Sequence, residues 1–434
     1  MIEMTRPRER AFLIGLDVPR SRFDPADSLD ELGSLVEAAG GQIVGRAVQK
    51  RAKPDPRTWI GKGKVTEVAT LAKGLRVDLV VADEELAPSQ QRSLEEDLGI
   101  RVVDRSGVII DIFAKHAQTK EGRVQVEVAQ LEYMRPRLRG LWQGLSRLGG
   151  GVGTRGPGES LLETDRRVID RRLIDLKGRL AAVEKQRGAA RRSRRTGGSY
   201  LAALVGYTNA GKSTVMNALS GADVLVADQP FATLDPTTRR TVLPSGTVVL
   251  LSDTVGFVNK LPPTLVAAFR ATLEELHDAD LLLHVVDASH PNLHERMAVV
   301  RETLRSLGLA DRPSLVVMNK IDALRGADGA SVREALASEF PAAAFVSART
   351  GAGIDDLRDR LAREAARDWR HVRVRIPHSA GALLQRIRER GALHRVDYGE
   401  GGIDIDAEVP PSFVAEIESV SGGASARSGR RAAR

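Results

Sequence analysis

The sequence of 434 residues contains no cysteine. This absence excludes disulfide bonds and thiolate metal sites, and it fits a cytosolic protein. No apolar run approaches the ~18 residues that a membrane-spanning helix needs. The N-terminal segment carries charges but no long apolar stretch, so we expect no secretion signal. We therefore expect a cytoplasmic chain, and we also expect it to be monomeric.

Positive charge is concentrated in one segment. Residues 134–195 hold 17 Lys and Arg against 6 Asp and Glu, a net charge of +11, whereas the whole chain carries +8. The remainder is therefore slightly acidic. A segment of this kind predicts a polyanionic partner, because cations that neutralise phosphates supply much of the affinity. A solvated charged helix would have the same composition.

Short apolar runs alternate with helical patterns between residues 10 and 112. We predict strands at 11–18, 41–48, 79–83 and 100–104, and helices at 28–39, 63–74 and 88–98. Alternating strands and helices are typical of α/β folds. The pattern therefore predicts an N-terminal α/β subdomain over residues 1–112.

A leucine-rich pattern over residues 113–196 predicts an antiparallel helical hairpin. Its apolar residues recur at steps of three, four and seven, as they do in coiled coils. The first stripe comprises Leu131, Met134, Leu138, Leu141, Leu145 and Leu148, and the second comprises Leu162, Ile169, Leu173, Leu176, Leu180 and Val183. The glycine-rich residues 149–158 form the tip between them. Pro136 predicts a kink or a helix restart in the first stripe.

A phosphate-binding motif lies near the start of a domain that we predict over residues 199–370. The motif G-x-x-x-x-G-K-[ST] consists of Gly206, Tyr207, Thr208, Asn209, Ala210, Gly211, Lys212 and Ser213. An apolar strand precedes it and a helix follows it, as the motif requires. We expect backbone N–H groups to surround the phosphates, Lys212 to reach the β- and γ-phosphates, and Ser213 to ligate Mg²⁺.

A second motif, D-x-x-G, follows another apolar strand. It consists of Asp253, Thr254, Val255 and Gly256. The Asp253 carboxylate can hold the water shell of Mg²⁺, and the Gly256 N–H can contact the γ-phosphate, so Gly256 joins Lys212 as a candidate catalytic residue. The motif lies at the carboxyl end of a strand, where open α/β sheets bind ligands.

A third motif selects the base. It consists of Asn319, Lys320, Ile321 and Asp322. Guanine presents N1–H and an amino group together, and the Asp322 carboxylate can accept from both, whereas adenine would leave this carboxylate poorly paired. We expect Lys320 to lie over the ring and Asn319 to brace the loop. A fourth signal, whose backbone N–H groups we expect near guanine O6, consists of Ser347, Ala348 and Arg349.

Four signals in this order resemble the translation-factor class of small GTPases. The segments RAKPDPRTWIGKGKV, IIDIFAKHAQTKEGRVQVEVAQL, GGGVGTRGPGESLLETDRRVIDRR and FATLDPTTRR resemble the HflX-type ribosome-associated GTPases, and the similarity runs over about residues 10–370. The resemblance implies GTP hydrolysis and binding to the large ribosomal subunit. It also implies a role in splitting or rescuing ribosomes, or in their biogenesis.

The predicted fold class is α/β. A P-loop G domain with a mostly parallel sheet and flanking helices follows an α/β subdomain that carries the helical hairpin. Residues 371–421 predict a small α+β domain, and residues 422–434 predict a disordered basic tail.

The resemblance assigns a further nucleotide-binding segment, FATLD. It implies that Thr233 ligates Mg²⁺ and senses the γ-phosphate, so that the segment orders with GTP and Thr233 counts as catalytic. Its neighbours in the expected nucleotide site are Phe231, Ala232, Leu234 and Asp235.

Two residues affect the expected rate of hydrolysis. Phe257 follows D-x-x-G, where Ras-like proteins place a glutamine that orients water. An aromatic ring cannot polarise water, so we expect slow intrinsic hydrolysis that the ribosome accelerates; Phe257 would also pack against the switch region. Asn209 either helps to hold K⁺ as an activator or caps a turn, and both interpretations stay open.

The basic hairpin suggests an RNA-binding element. We expect RNA contacts from Arg155 at the tip and from four arginines of the returning helix, Arg166, Arg167, Arg171 and Arg172. An alternative is a GTP-regulated switch whose hairpin recruits a protein partner as a coiled coil. The concentrated charge favours RNA, because a protein-binding seam would not need it.

Overall fold

A computed structural model describes residues 8–19, 21–138, 166–183, 200–221, 230–231, 237–244, 246–260, 265 and 275–420. The chain divides into two compact units. The first unit contains Met1–Glu184, Ala227–Asp235 and Val258–Thr272. The second unit contains Lys185–Val226, Pro236–Phe257 and Leu273–Arg434.

The first unit is built on a parallel sheet of four strands in the order β2-β1-β3-β4. The strands are β1 (Arg10–Asp17), β2 (Gln42–Lys50), β3 (Leu79–Ala82) and β4 (Arg101–Asp104). The helices α1 (Pro25–Ala38), α2 (Lys62–Gly74) and α3 (Pro88–Leu98) alternate with these strands. The predicted strands and helices of this region are confirmed to within a few residues at each end.

One helix of this unit was not predicted. Helix α4 (Arg105–His116) follows β4 directly, and the Asp104 side chain caps it by accepting a hydrogen bond from the Gly107 N–H. Its residues from Arg105 to Ile110 are all buried, and its exposed positions, Asp111, Ala114 and Lys115, come only in its second half. The amphipathic pattern therefore covers only the last turns, which is too short a stretch for the sequence to predict the helix.

The helical hairpin also belongs to the first unit. Helix α5 (Lys120–Met134) begins at a Thr119 cap, and residues 166–183 form the returning helix, α6. Their seam buries Val128, Leu173 and Leu176, with Val124, Leu131, Ile169 and Leu180 packed beside them. The predicted packing of Leu131 against the second stripe is therefore confirmed.

The predicted seam is wrong at Met134, because the side chain of this residue is 47% exposed. Helix α5 ends at this residue, two positions before Pro136, which removes the continuous seam expected there. Leu141, Leu145, Leu148, Leu162 and the tip lie outside the described residues.

The second unit contains a six-stranded sheet in the order β10-β9-β8-β5-β7-β6. Only β6 (Thr237–Val242) is antiparallel, and it pairs with β7 (Val248–Asp253). The other strands are β5 (Tyr200–Gly206), β8 (Leu281–Asp287), β9 (Ser314–Asn319) and β10 (Ala344–Phe345). The accompanying helices are α7 (Lys212–Ser220), α8 (Glu275–Asp278), α9 (Leu293–Ser306), α10 (Gly326–Glu339) and α11 (Ile354–Ala365). The predicted mostly parallel sheet with flanking helices is confirmed.

A small antiparallel sheet of order β11-β13-β12 follows. Its strands are β11 (Arg370–Ile376), β12 (Ala392–Gly399) and β13 (Gly402–Val409), and two helices accompany it, α12 (Gly381–Arg390) and α13 (Pro411–Val420). The predicted α+β composition is confirmed, although β12 and α13 were not foreseen. Among the described residues, every helix is too short or too polar to cross a membrane.

The hairpin seam gives a test with an internal control on helix α6. Leu176 is fully buried, whereas Ile174 on the same helix is 73% exposed. We expect Leu176→Ala to destabilise the hairpin by about 2–5 kcal/mol, because it leaves a cavity, and Ile174→Ala to change it by less than about 0.5 kcal/mol. Amide hydrogen exchange over residues 166–183 measures both. Equal acceleration in the two variants would contradict the seam.

Candidate functional site

The predicted motifs converge at one edge of the parallel sheet of the second unit. Strands β5, β7, β8 and β9 run in the same direction, so the loops that follow them leave the sheet at the same edge. These loops are the phosphate-binding loop (206–213), the D-x-x-G loop (253–257), the base loop (319–322) and the S-A-x loop (347–349).

Backbone hydrogen bonds join the first two loops. The Thr208 N–H donates to the Phe257 carbonyl at 2.7 Å, and the Phe257 N–H donates to the Gly206 carbonyl at 3.0 Å. The Phe257 side chain is buried, with 2% of its surface exposed. The peptide that follows Gly256 is therefore fixed to the phosphate-binding loop.

Asn319 links the phosphate-binding loop to the loops that hold the base. Its side-chain amide donates to the Ala210 carbonyl at 2.9 Å, and its side-chain oxygen accepts from the Ala348 N–H at 3.0 Å. Gly211 allows this close approach, since a Cβ there would collide with the Asn319 amide and its φ is +88°. A left-handed backbone favours glycine, so both features explain the residue.

Lys212 is the buried cation of the site. Its ammonium donates to the carbonyl oxygens of Gly206 at 3.3 Å and Tyr207 at 3.1 Å. Burial lowers the pKa of Lys212 from 10.5 to about 8, although the Asp253 charge opposes the shift. A cation held in a desolvated loop interacts strongly with phosphate oxygens, because little water screens it.

Two oxygen-bearing side chains that suit a magnesium site meet beside Lys212. The Ser213 hydroxyl donates to Asp253 Oδ2 at 2.5 Å, and the Asp253 side chain is nearly fully buried. A hydroxyl and a carboxylate at this separation suit Mg²⁺, which prefers oxygen ligands and retains part of its water shell. When bound, the ion would neutralise phosphate charge, with Ser213 as a direct ligand and Asp253 holding its water.

The base loop presents an ionised carboxylate. Asp322 accepts hydrogen bonds from the Ser347 hydroxyl at 2.7 Å and from the Arg349 guanidinium. The Ser347 hydrogen bond, followed by the Arg349 charge, holds the pKa of Asp322 below its ordinary value despite partial burial. The carboxylate therefore remains an acceptor, as recognition of guanine N1–H and its amino group requires.

Lys320 is held by a residue that the sequence analysis did not single out. Its ammonium lies 2.8 Å from Asp287 Oδ2, at the end of β8. The missed signal is the apolar strand LLLHVVD, which ends in an aspartate as β7 does. Lys320 also has a left-handed backbone, with φ +63°, so its side chain is positioned by both the turn and the ion pair.

The remaining predicted residues fall into four groups. Asn209 is exposed in a left-handed turn with φ +57°, a conformation common for asparagine. Ala232, Thr233, Leu234 and Asp235 lie outside the described residues, as does Arg155. Phe231 is a buried residue of the first unit. Arg166, Arg167, Arg171 and Arg172 are exposed on α6.

A nucleotide site made of these four loops on this sheet defines a P-loop GTPase of the translation-factor class. Three family models match successive parts of the chain. They are described as GTP-binding GTPase N-terminal (residues 26–114), GTP-binding GTPase Middle Region (116–194) and 50S ribosome-binding GTPase (201–320).

Similar proteins extend this result to nearly the whole chain. The GTPase HflX of Caldanaerobacter subterraneus is 43% identical over 94% of this chain and 93% of its own length, and that of Escherichia coli is 41% identical over 88% and 90%. A solved structure described as the SsGBP and GDP complex has a TM-score of 0.46 and 25% identity over 82% of this chain and 98% of that one. The chain belongs to the HflX family of GTPases, and it is an enzyme that hydrolyses GTP.

The lowered pKa of Lys212 predicts how nucleotide affinity changes with pH. Phosphates favour the charged ammonium, so binding above pH 8 requires uptake of a proton that the free protein has lost. We expect GDP affinity to be flat below about pH 8 and to fall by up to about tenfold per pH unit above it. Titration calorimetry from pH 7 to 9.5 measures the slope. Lys212→Arg, which stays charged, is the control, and an equal slope in this variant would assign the effect to other groups.

The Asn319 bridge predicts coupled losses of stability and affinity. Asn319→Ala leaves the Ala210 carbonyl and the Ala348 N–H without their partner, which costs about 1–3 kcal/mol. We expect the free energy of unfolding to fall by this amount and GDP to bind about ten times more weakly or worse. Ser306→Ala, which removes an exposed hydroxyl on α9, should change neither quantity. Normal GDP affinity in Asn319→Ala would show that the bridge does not support the site.

Proposed function

We propose that this GTPase binds the large (50S) ribosomal subunit and acts in ribosome splitting or rescue, or in ribosome biogenesis. GTP would establish the binding state and hydrolysis would release it. The description of the matching G-domain family as 50S ribosome-binding supports the partner. Its place of action would then be the cytoplasm, where ribosomes work.

The exposed arginines of the hairpin carry the proposal. Arg166, Arg167 and Arg171 are exposed on α6, and among the described residues no ion pair engages Arg166 or Arg171. Arg172, in contrast, pairs with Glu127 at 2.7 Å and lies 3.5 Å from Asp175, so part of its charge serves the hairpin itself. Exposed cations on one helix suit a phosphate backbone better than a neutral protein surface.

The site also supports slow intrinsic hydrolysis. Phe257 is buried and its backbone is bonded to the phosphate-binding loop, so this position supplies no group that could orient water. Ribosome binding would accelerate hydrolysis by ordering the catalytic residues or by adding a polar group. K⁺ beside the phosphates is a further candidate activator, with Asn209 as its ligand.

One observation favours the alternative of a protein partner. Val168 and Ile174 of α6 are 56% and 73% exposed, and exposed apolar side chains are common in protein interfaces. They lie on the same helix as the exposed arginines, so a mixed surface could also contact a ribosomal protein.

Co-sedimentation distinguishes the two functions. Purified protein should pellet with large ribosomal subunits in the presence of a non-hydrolysable GTP analogue and much less with GDP. Binding that does not depend on the analogue, or no binding to subunits, would favour the recruitment of another protein.

The hairpin charges give a sharper prediction. We expect Arg167→Glu with Arg171→Glu to weaken subunit binding by at least about tenfold and to reduce its salt dependence, because phosphate contacts are lost. The same charge change at two exposed arginines of the second unit is the control, with Arg363→Glu in α11 and Arg367→Glu in the turn that follows it. Intrinsic GTP hydrolysis should stay unchanged in both. A loss of binding as large in the control would show that only net charge matters.

A further inference from the structure

A lysine that follows the D-x-x-G loop is held in an acidic pocket of the first unit. The Lys260 ammonium lies 2.7 Å from Asp83 Oδ2 and 2.8 Å from Glu84 Oε1. It also donates to the Asp83 carbonyl at 3.2 Å and to the Ser28 hydroxyl at 3.3 Å. Four oxygens around one ammonium form a specific socket, which we call the Lys260 socket.

Lys260 supplies one of the two cations that face the three carboxylates of this cluster, Asp83, Glu84 and Glu31. Asp83 is 4% exposed and bonds the fully buried Arg105 through its other carboxylate oxygen at 2.6 Å. Arg105 also pairs with Glu31. One buried arginine faces two carboxylates, and Lys260 supplies the second cation. Removal of one member of a buried ionic group is costly, because it leaves a charge without a partner.

Two segments from the predicted G-domain range, Ala227–Asp235 and Val258–Thr272, belong to the first unit, and each contains a residue with a left-handed backbone. Lys260 has φ +58° and Phe231 has φ +57°, although neither is glycine. Phe231 packs edge-on against Phe113 of α4, with ring centroids 4.7 Å apart. Such a backbone costs energy and persists only where surrounding contacts fix it. The side chains of Lys260 and Phe231 supply those contacts.

Lys260 is close in the chain to the group that senses the γ-phosphate. Only Val258 and Asn259 separate it from Phe257, whose N–H and carbonyl are bonded to the phosphate-binding loop. Gly256 lies near Lys212, since a Cβ on Gly256 would be 2.9 Å from the Lys212 ammonium. A short segment fixed at both ends restricts the positions that Gly256 can adopt.

We propose that Lys260 is a positioning residue for GTP: its socket holds the D-x-x-G loop so that the Gly256 N–H can bind the γ-phosphate. GDP lacks this phosphate and does not use the Gly256 contact. The socket therefore favours GTP over GDP, and by linkage GTP strengthens the socket. The first unit thereby takes part in nucleotide discrimination through residues more than 170 positions away in the sequence.

The test compares the affinities for GDP and for a non-hydrolysable GTP analogue, together with kcat and KM for GTP, in the full-length chain. The variants are Lys260→Met, which keeps most of the aliphatic stem, and Lys260→Arg, which keeps the charge. Asp83→Asn completes a double-mutant cycle, and Glu84→Gln replaces it if loss of Asp83 prevents folding. Lys64→Met is the matched control, because Lys64 also pairs with a carboxylate, Glu67, on the surface of α2.

We expect Lys260→Met to lower the affinity for the GTP analogue by about tenfold and to leave GDP affinity unchanged. Asp83→Asn or Glu84→Gln should lower it in the same direction, with little further loss in the double variant. Lys260→Arg should restore most of the preference, and Lys64→Met should leave it intact. An unchanged or increased preference for the analogue in Lys260→Met overturns the proposal. An equal loss of GDP affinity overturns it too, since this would indicate a general loss of structure.

Discussion

The common direction of the parallel strands is the constraint on which the nucleotide site depends. Leu204 of β5 pairs with Asp253 of β7, and Asp287 of β8 pairs with Asn319 of β9. These registers set the heights at which the loops leave the sheet. A shift by one residue would displace a loop by about 3.3 Å and would turn each strand side chain to the opposite face. The contacts between the loops, such as those of Phe257 with the phosphate-binding loop, require this alignment.

The phosphate-binding loop contains a charged group, the Lys212 ammonium, that is costly to bury. The Lys212 ammonium is buried with carbonyl oxygens around it, and its lowered pKa shows that the charged form is poorly solvated there. The loop therefore carries a cation whose best partner is the ligand itself. The base loop differs, since Asp322 is kept ionised by Ser347 and Arg349 within the protein. We therefore expect Lys212 to attract the phosphates, and Asp322 to select the base by a preset hydrogen-bond pattern.

Local sequence patterns predicted most of the fold and the motif residues of the site. Amphipathic helices and apolar strands have a period that is visible in the sequence. Helix α4 was missed because its first half is entirely buried and only its last turns are amphipathic, and strand β12 was missed because His394, Arg395 and Asp397 interrupt its apolar pattern. The Lys260 socket was missed for another reason. Lys260 and Asp83 are 177 residues apart in the sequence, so no local pattern contains both.

Because the Phe257 side chain is buried, it leaves the orientation of water for GTP hydrolysis to other parts of the protein. Without a side chain that orients water at this position, the rate of hydrolysis depends on how accurately the backbone around Gly256 is placed. Hydrogen bonds to the phosphate-binding loop fix this backbone on one side, and the Lys260 ammonium fixes the chain three residues later. The same socket lies in the unit that carries the basic hairpin. If Lys260 positions Gly256 as proposed, a partner that displaces Lys260 from its socket would change the rate of hydrolysis without contributing an atom to the reaction.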